Sequence, residues 1–340
     1  MTSWLRKLPK PRELRVLYLA QYAPQPLLRS KLPYSQDGGY PSYHFNVYQS
    51  LVDLGITVYP SSQPSSLLSV GRRVDYVYSL LNRMPLRDSE VLVSAVCEYL
   101  DLPYLGAPPT VRAIAQDKLL FKLAAESLGI QTPPGKIYRP SERQPDPPTF
   151  SPPYFVKERG GAGSEGITER NFAPDWTGAR QIISQILDAG KEVLLEKFCD
   201  GIDITVPVVG ASPFQILPPI KLRSDVRGNI LTHDLKLDDH LGFEVVSLSQ
   251  DIVHAIAHDA SKIWNALGAV DYFRIDYRFD PDLHSLYLLE INICCHFEEK
   301  SAISLAALQL GVTYPQLLEH ILSYSLSRQR RRCEKLEWIL

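Results

Sequence analysis

Hydrophobic residues along this chain fall into two alternating textures. Short, continuous apolar runs, "LRVLYLA" (14–20), "ITVYP" (56–60) and "RRVDYVYSLL" (72–81), read as buried strands. Between and after them lie stretches of helical spacing, "SYHFNVYQSLVDLG" (42–55) and "SEVLVSAVCEYLDL" (89–102), followed by a short buried strand "PYLGA" (103–107). Strand, helix, strand in that order predicts a parallel, doubly wound α/β layer over roughly the first 110 residues. The next segment, "PPTVRAIAQDKLLFKLAAESLG", reads as one helix, and a proline-rich linker, "RPSERQPDPPTFSPP", comes after it. "YFVKERGGAGSEGITE" is a strand entering a glycine-rich loop, "WTGARQIISQILDAG" a helix, and "EVLLEKFCDGIDITVPVVG" two strands joined by a turn at Asp200–Gly201. "DIVHAIAHDASKIWNAL", "AISLAALQLG" and "YPQLLEHILSYSL" complete the pattern as helices.

One segment departs from simple amphipathicity. "DYFRIDYRFDPDLHSLYLLEIN" (271–292) reads as a β-hairpin turning at "DPDLH". On its first arm Arg274 and Asp276 share a face, opposite Phe273, Ile275 and Tyr277. On the second arm Glu290 and Asn292 alternate with Leu289 and Ile291. Four polar side chains therefore gather on one face of an otherwise apolar hairpin. Buried carboxylates are costly unless paired or bound to a metal. A solvated face holding an Arg–Glu ion pair is the plain alternative.

Composition narrows the partners. The chain has 340 residues, enough for two or three domains, with 45% hydrophobic and 22% charged residues. Its net charge of −2 argues against nucleic acid or a membrane surface as the main partner. The basic run in "SRQRRRCEKLEWIL" reads as a solvated helix end. No apolar run approaches the roughly 20 residues that span a bilayer, and the N-terminus lacks the apolar core of a signal peptide. The five cysteines (Cys97, Cys199, Cys294, Cys295, Cys333) show no zinc-site spacing and suit free thiols in a reducing, cytoplasmic setting. His254 and His258 lie four apart on a helix without a third ligand, so surface histidines are expected there.

Two features carry chemistry. Glycines in "GGAGSEG" (160–166) let backbone N–H groups approach an anion, and Lys157 stands three residues upstream. The loop is not a Walker A sequence; a plain surface loop is the alternative, and the nearby lysine favours phosphate. On the hairpin, Asp276 and Glu290 on adjacent strands suit Mg²⁺, which takes one or two carboxylates plus substrate phosphates. Asn292 adds an oxygen ligand, and Arg274 a fixed positive charge for a transferring phosphoryl group.

Five ordered motifs then carry a resemblance: "QDKLLFK", "FVKERGGAGSEGI", "LLEKFCDGIDITV", "FRIDY" and "LEIN". Together, from about residue 104 to 322, the chain resembles the ATP-grasp superfamily, in its D-alanine–D-alanine ligase branch. The resemblance implies a three-domain α/β ATP-grasp fold: a doubly wound N-terminal domain (1–108), an α+β central lid domain (109–199) and an α+β C-terminal catalytic domain (200–340). ATP and Mg²⁺ are the implied cofactors. Lys118 and Lys157 would meet the phosphates, and Gly160, Gly161, Gly163, Ser164 and Gly166 would close over them. Glu196, Lys197, Phe198 and Cys199 would form the adenine hinge, and Asp203 would take the ribose. Lys236 would reach the phosphates from the opposite side. Asp276, Glu290 and Asn292 would hold Mg²⁺, while Arg274 would stabilise the acyl-phosphate step. Such enzymes join a small-molecule acceptor and an amino acid; homodimers are common among them.

The substrate side departs from the branch. No Glu-x-x-x-Ser segment follows the first strand, Asn82 stands where a histidine is expected, and "ICCHFEEK" replaces Thr-x-Pro-Gly-Met-Thr. Ser301 falls where the family's serine meets the second substrate's carboxylate. Arg29, Tyr40 and Tyr43 would line the acceptor pocket, with His296 and Ser301 reading the amino acid. Among relatives with rebuilt pockets, the chain is similar to the mycosporine-glycine amino-acid ligases of cyanobacterial sunscreen biosynthesis. The alternatives are a D-alanine–D-alanine or other dipeptide ligase and, outside enzymes, a nucleotide-binding regulator that has lost catalysis.

Overall fold

The computed structural model describes residues 3–24, 40–70, 73–82, 84, 89–141, 145–160, 168–222, 242–268 and 270–336. Three of the apolar runs form the first sheet: β1 (Arg15–Leu19), β2 (Thr57–Ser61) and β3 (Tyr76–Ser79), parallel and in the order β2-β1-β3. The expected strand at "PYLGA" shrinks to a single parallel bridge between Val77 and Tyr104. Helices α1 (Tyr40–Asp53), α2 (Ser66–Val70) and α3 (Ser89–Tyr99) supply the crossovers. Because successive strand residues face opposite sides, Leu17, Leu19 and Val77 pack with Val93 and Cys97 of α3. Val16, Tyr18, Tyr76 and Tyr78 face Val47 and Leu51 of α1 instead.

The second sheet is antiparallel throughout. It contains β4 (Gly135–Tyr138), β5 (Tyr154–Glu158), β6 (Phe172–Ala173) and β7 (Val193–Lys197) in the order β4-β7-β5-β6. Helix α6 (Trp176–Asp188) covers it with Ala179, Ile183 and Leu187. The single helix expected before this sheet is two, α4 (Pro109–Gln116) and α5 (Lys118–Ser127). Asp117 breaks the run: its backbone is extended, and its carboxylate accepts the Leu119 and Leu120 N–H groups as an N-cap.

The third sheet holds β8 (Ile202–Val209), β9 (Gln215–Ile216), β10 (Ile220–Leu222), β11 (Phe243–Val245), β12 (Tyr272–Asp280) and β13 (Ser285–Asn292). Its order is β11-β10-β8-β12-β13, with β9 beside β8, and every pairing is antiparallel. Helix α7 (Gln250–Leu267) presents Ile252, Ile256, Ala260 and Ile263 to it, a stripe at helical spacing. His254 and His258 point to solvent. Helices α8 (Ala302–Leu308) and α9 (Tyr314–Leu336) close the chain. Leu317, Ile321 and Leu322 of α9 complete the core under the first sheet, so the end of the chain packs against its beginning. Among the described residues, no helix is long and apolar enough to cross a membrane.

Two local findings place the site. β7 and β8, expected as strands joined by a turn, belong to different sheets, and Asp200–Gly201 is the crossing between them. Gly201 has φ +115°, and a Cβ there would lie 2.1 Å from the Phe279 carbonyl oxygen, so only glycine lets the chain pass β12 this closely. The hairpin forms as expected, with Arg274 opposite Asn292 and Asp276 opposite Glu290, but the register shifts beyond Asp276 so that Tyr277 faces Leu288. This bulge leaves Leu289 without a partner across the ladder and turns Leu288 into the core in place of the expected Leu289.

Candidate functional site

The hairpin's polar face is a hydrogen-bonded cluster centred on Asp276. Arg274 grips that carboxylate with two bonds, Nε to Oδ1 at 2.9 Å and Nη2 to Oδ2 at 2.8 Å. Asn292 donates to Oδ2 at 2.9 Å, and Thr205, paired with Asp276 across β8, donates to Oδ1 at 2.9 Å. Glu290 stands opposite, with Asn292 Nδ2 3.5 Å from its Oε1. Burial works against the Arg274 charge, but Asp276 overrides it and pushes the guanidinium pKa well up, so the arginine is permanently cationic. Thr205 is not among the residues expected from the sequence; it belongs to the neighbouring strand, and its pairing is a tertiary fact.

Three lysines, two on α5 and one on β5, bring positive charge to the same region. Lys157 of β5 is buried, its Nζ 2.6 Å from Glu196 Oε2, and Lys122 of α5 is 2.8 Å from Glu196 Oε1. Burial opposes the Lys157 charge, but Glu196 and then Glu290 raise its pKa. Lys118 begins α5 and donates to the Gly160 carbonyl at 3.3 Å. Desolvation lowers its pKa, Glu290 opposes this, and Lys157 adds to the lowering. Glu290 thus lies near enough to Lys118 and Lys157 to favour the charge of both, so the two expected phosphate lysines and an expected metal ligand are neighbours. The glycine loop's stem is anchored here too. Arg159 binds Asp117 through Nη2 at 2.6 Å and Glu192 through Nη1 at 2.8 Å, which pins Gly160 beside the start of α5. Gly161, Gly163, Ser164, Gly166, Arg29 and Lys236 lie outside the described residues.

At the crossing from β7 to β8, Glu196 spends its carboxylate on the two lysines, which hold its pKa down against the opposing effect of burial. The Lys197 and Phe198 amides donate to Pro134 and Pro153 carbonyls, and the Phe198 ring lies edge-on to Phe172. Arg278 ties the crossing to the start of β8. Its Nη1 pairs with Asp203 at 2.9 Å, its Nε donates to the Cys199 carbonyl at 3.0 Å, and its guanidinium lies 5.4 Å from the Phe198 ring centre. Arg278 is absent from the residues expected from the sequence, although its signal is there: positions 274, 276 and 278 lie on one strand face at period two.

The expected substrate residues converge differently. Tyr43 is buried, accepts the Phe297 N–H at 3.2 Å and stacks on His296 with ring centres 3.7 Å apart. His296 Nε2 lies 2.8 Å from Glu298 Oε1, and Asn46 donates to the other oxygen at 3.3 Å. Tyr40 and Tyr43 flank His44, whose Nδ1 accepts the Tyr22 N–H. Acceptor and amino-acid residues, expected in separate places, here share one aromatic cluster. Ser301 sits at the N-cap position of α8 with extended backbone, yet its hydroxyl donates to the Glu298 carbonyl at 2.7 Å and caps no amide. Asn82 lines a small cleft with Ser79, Arg112, Tyr272 and Cys294.

The family described as "D-ala D-ala ligase C-terminus" matches residues 143–323, more than half of the chain, a range that includes every element expected to meet metal and nucleotide from Lys157 onward. The chain belongs to that family. The D-alanine–D-alanine ligase of Desulfovibrio desulfuricans is 29% identical over 286 residues, covering 79% of this chain and 85% of that one. The enzyme of the same name from Carboxydothermus hydrogenoformans is 22% identical, covering 84% and 93%. In three dimensions, the D-alanine–D-alanine ligase of Bacillus anthracis, solved in complex with ATP, superposes with a TM-score of 0.70 at 18% identity, covering 94% of this chain and 99% of that one. The Coxiella burnetii ligase superposes with a TM-score of 0.67 at 14% identity, covering 95% and 97%. The fold is thus the three-sheet α/β architecture of ATP-grasp ligases.

The residues of this family member fit ATP and Mg²⁺ on chemical grounds. Among the described residues no group of three or more His, Cys, Asp or Glu side chains could hold a metal. Two carboxylates and one amide oxygen leave an octahedron to be completed by phosphate oxygens and water, as Mg²⁺ prefers. Among the described residues Lys118 and Lys157 bring two cationic side chains close to Glu290, donors of the kind that bind phosphate oxygens.

Proposed function

We propose that the protein is an ATP-dependent ligase of the D-alanine–D-alanine ligase type, joining an activated carboxylate or comparable oxygen acceptor to the amine of an amino acid. The observation that carries this is the hydrogen-bonded Asp276–Arg274–Asn292 cluster with Glu290 opposite Asp276, near the charges of Lys118 and Lys157. When bound, Mg²⁺–ATP supplies the phosphoryl group that turns a poor leaving oxygen into a good one. Asp276, Glu290 and Asn292 would hold the metal. Lys118 and Lys157 would orient the phosphates, and Arg274, fixed by Asp276, would offset charge developing at the transferred group. Asp203 and the 197–199 segment, held by Arg278, would position the nucleoside.

The names of the relatives favour a dipeptide-forming reaction, with a D-amino acid as the first pair to test. A second reading, condensation of serine or threonine with mycosporine-glycine, is supported by Asn82, by the missing first-strand acid and by the Tyr40–Tyr43–His44–His296 cluster, which suits a ring-bearing acceptor. ADP release should be measured with D-alanine and other amino-acid pairs, and in parallel with a cyclohexenone acceptor plus serine or threonine. Turnover with only one panel assigns the acceptor. Nucleotide binding without turnover in either panel would favour a regulator and overturn the ligase reading.

A further inference from the structure

Lys122 has no part in the proposed reaction, yet its side chain is only 5% exposed and its ammonium shares Glu196 with Lys157. It also donates to the Pro133 carbonyl. The route to that position is kept open by Gly135, which stands opposite Glu196 in the ladder of β4 and β7. A Cβ at Gly135 would come within 3.3 Å of Lys122 Cε and 3.2 Å of Leu194 Cδ1. Lys118 and Lys122 are four apart on α5 and so rise from the same side of that helix.

A carboxylate this deeply buried cannot be left bare, because removing one partner of a buried pair strands the other charge. If Glu196 had Lys157 as its sole cation, any movement of Lys157 toward a phosphate would expose that cost. We propose that Lys122 is a positioning residue for nucleotide binding: it holds Glu196 as a stationary, already compensated counter-charge, so that Lys157 is released to the phosphates. This rests on the reading of the cleft as an ATP site. Lys118, which Lys157 repels, gains from the same rearrangement, since the shared phosphate would separate two like charges.

The test is a double-mutant cycle in the full-length protein. Affinity for adenylyl imidodiphosphate with Mg²⁺ is measured by calorimetry in wild type, Lys122→Met, Glu196→Gln and the double variant, with melting temperatures taken in the absence of nucleotide. Lys122→Met should weaken binding by at least about tenfold, the scale of one lost hydrogen bond to a charged group. In the Glu196→Gln background the carboxylate that Lys122 would compensate is gone, so adding Lys122→Met should change affinity by less than about threefold, the mark of strong coupling. An unchanged affinity in Lys122→Met, with wild type binding normally, overturns the role of Lys122 and leaves the ligase reading standing. An equal loss in both backgrounds also overturns it, since Lys122 would then act through packing alone. Failure of wild type to bind the nucleotide overturns both. If Lys122→Met does not fold, Glu196→Gln against the double variant decides: a tenfold gap there rejects the proposal.

Discussion

On the hairpin side of the cleft, Arg274, Asp276, Glu290 and Asn292 come from two adjoining strands, and regular strand geometry is enough to bring them together. On the α1 side, Tyr43 meets the Phe297 amide from 254 positions away, and His296 stacks on it only because two sheets are packed together. The first region is charged, cross-linked and half-buried; the second is aromatic, with His296 exposed. On the proposed function, the difference would separate two tasks. Phosphoryl transfer needs fixed charges at fixed spacing, which a β-ladder delivers cheaply. Choice of acceptor needs shape, which loops and helix faces can change while the ladder stays intact.

The comparison can be broken most forcefully on the hairpin. Glu290→Gln keeps the shape but removes a negative charge from the metal face, and ATP turnover should fall by more than about 100-fold with an unchanged melting temperature. Turnover near that of wild type would remove the metal assignment. The aromatic side should respond instead to acid. Burial, and secondarily His296, lowers the His44 pKa to about 4, and its Nδ1 is engaged by the Tyr22 amide. The unfolded chain therefore takes up this proton first, so the contribution is whole above about pH 6.5 and is lost as pH falls toward 4, on the order of 2–3 kcal/mol. Melting temperatures of wild type and His44→Gln across that range should converge on acidification; parallel curves would show that His44 titrates normally.

A smaller effect is expected at the nucleoside end. Arg278→Met frees Asp203 and the Cys199 carbonyl together, and KM for ATP should rise about tenfold with kcat little changed. A kcat loss without a KM change would place Arg278 in the chemical step instead. Smallest is Tyr43→Phe, which takes the acceptor from the Phe297 N–H and should cost about 1 kcal/mol in denaturant unfolding. Its nucleotide affinity should equal that of wild type, and a matching loss of affinity would show that the two sides of the cleft are not independent.

Pattern and spacing in the amino-acid order were enough for β1, β2, β3, β5, β7 and β8, most of the helices, the hairpin and its polar face, because period-two alternation and helical spacing are local properties of the backbone. The short strands β4, β6, β9, β10 and β11 carry no such pattern. Arg278 is readable by the same rule and Lys122 by its place four residues after Lys118, though neither stands out without its partner. The helix break at Asp117 is also local in cause, but an aspartate in a helical run is ambiguous until its carboxylate is seen to cap Leu119 and Leu120. Packing alone decided the rest. The strands meeting at Gly201 went to separate sheets because the crossing must pass within reach of the Phe279 carbonyl, a contact between residues 78 positions apart in sequence. Glu196 became the shared counter-charge of two lysines, and Tyr43 the support of His296, because burial makes an unpaired polar group expensive and leaves long-range packing to choose which partner satisfies it.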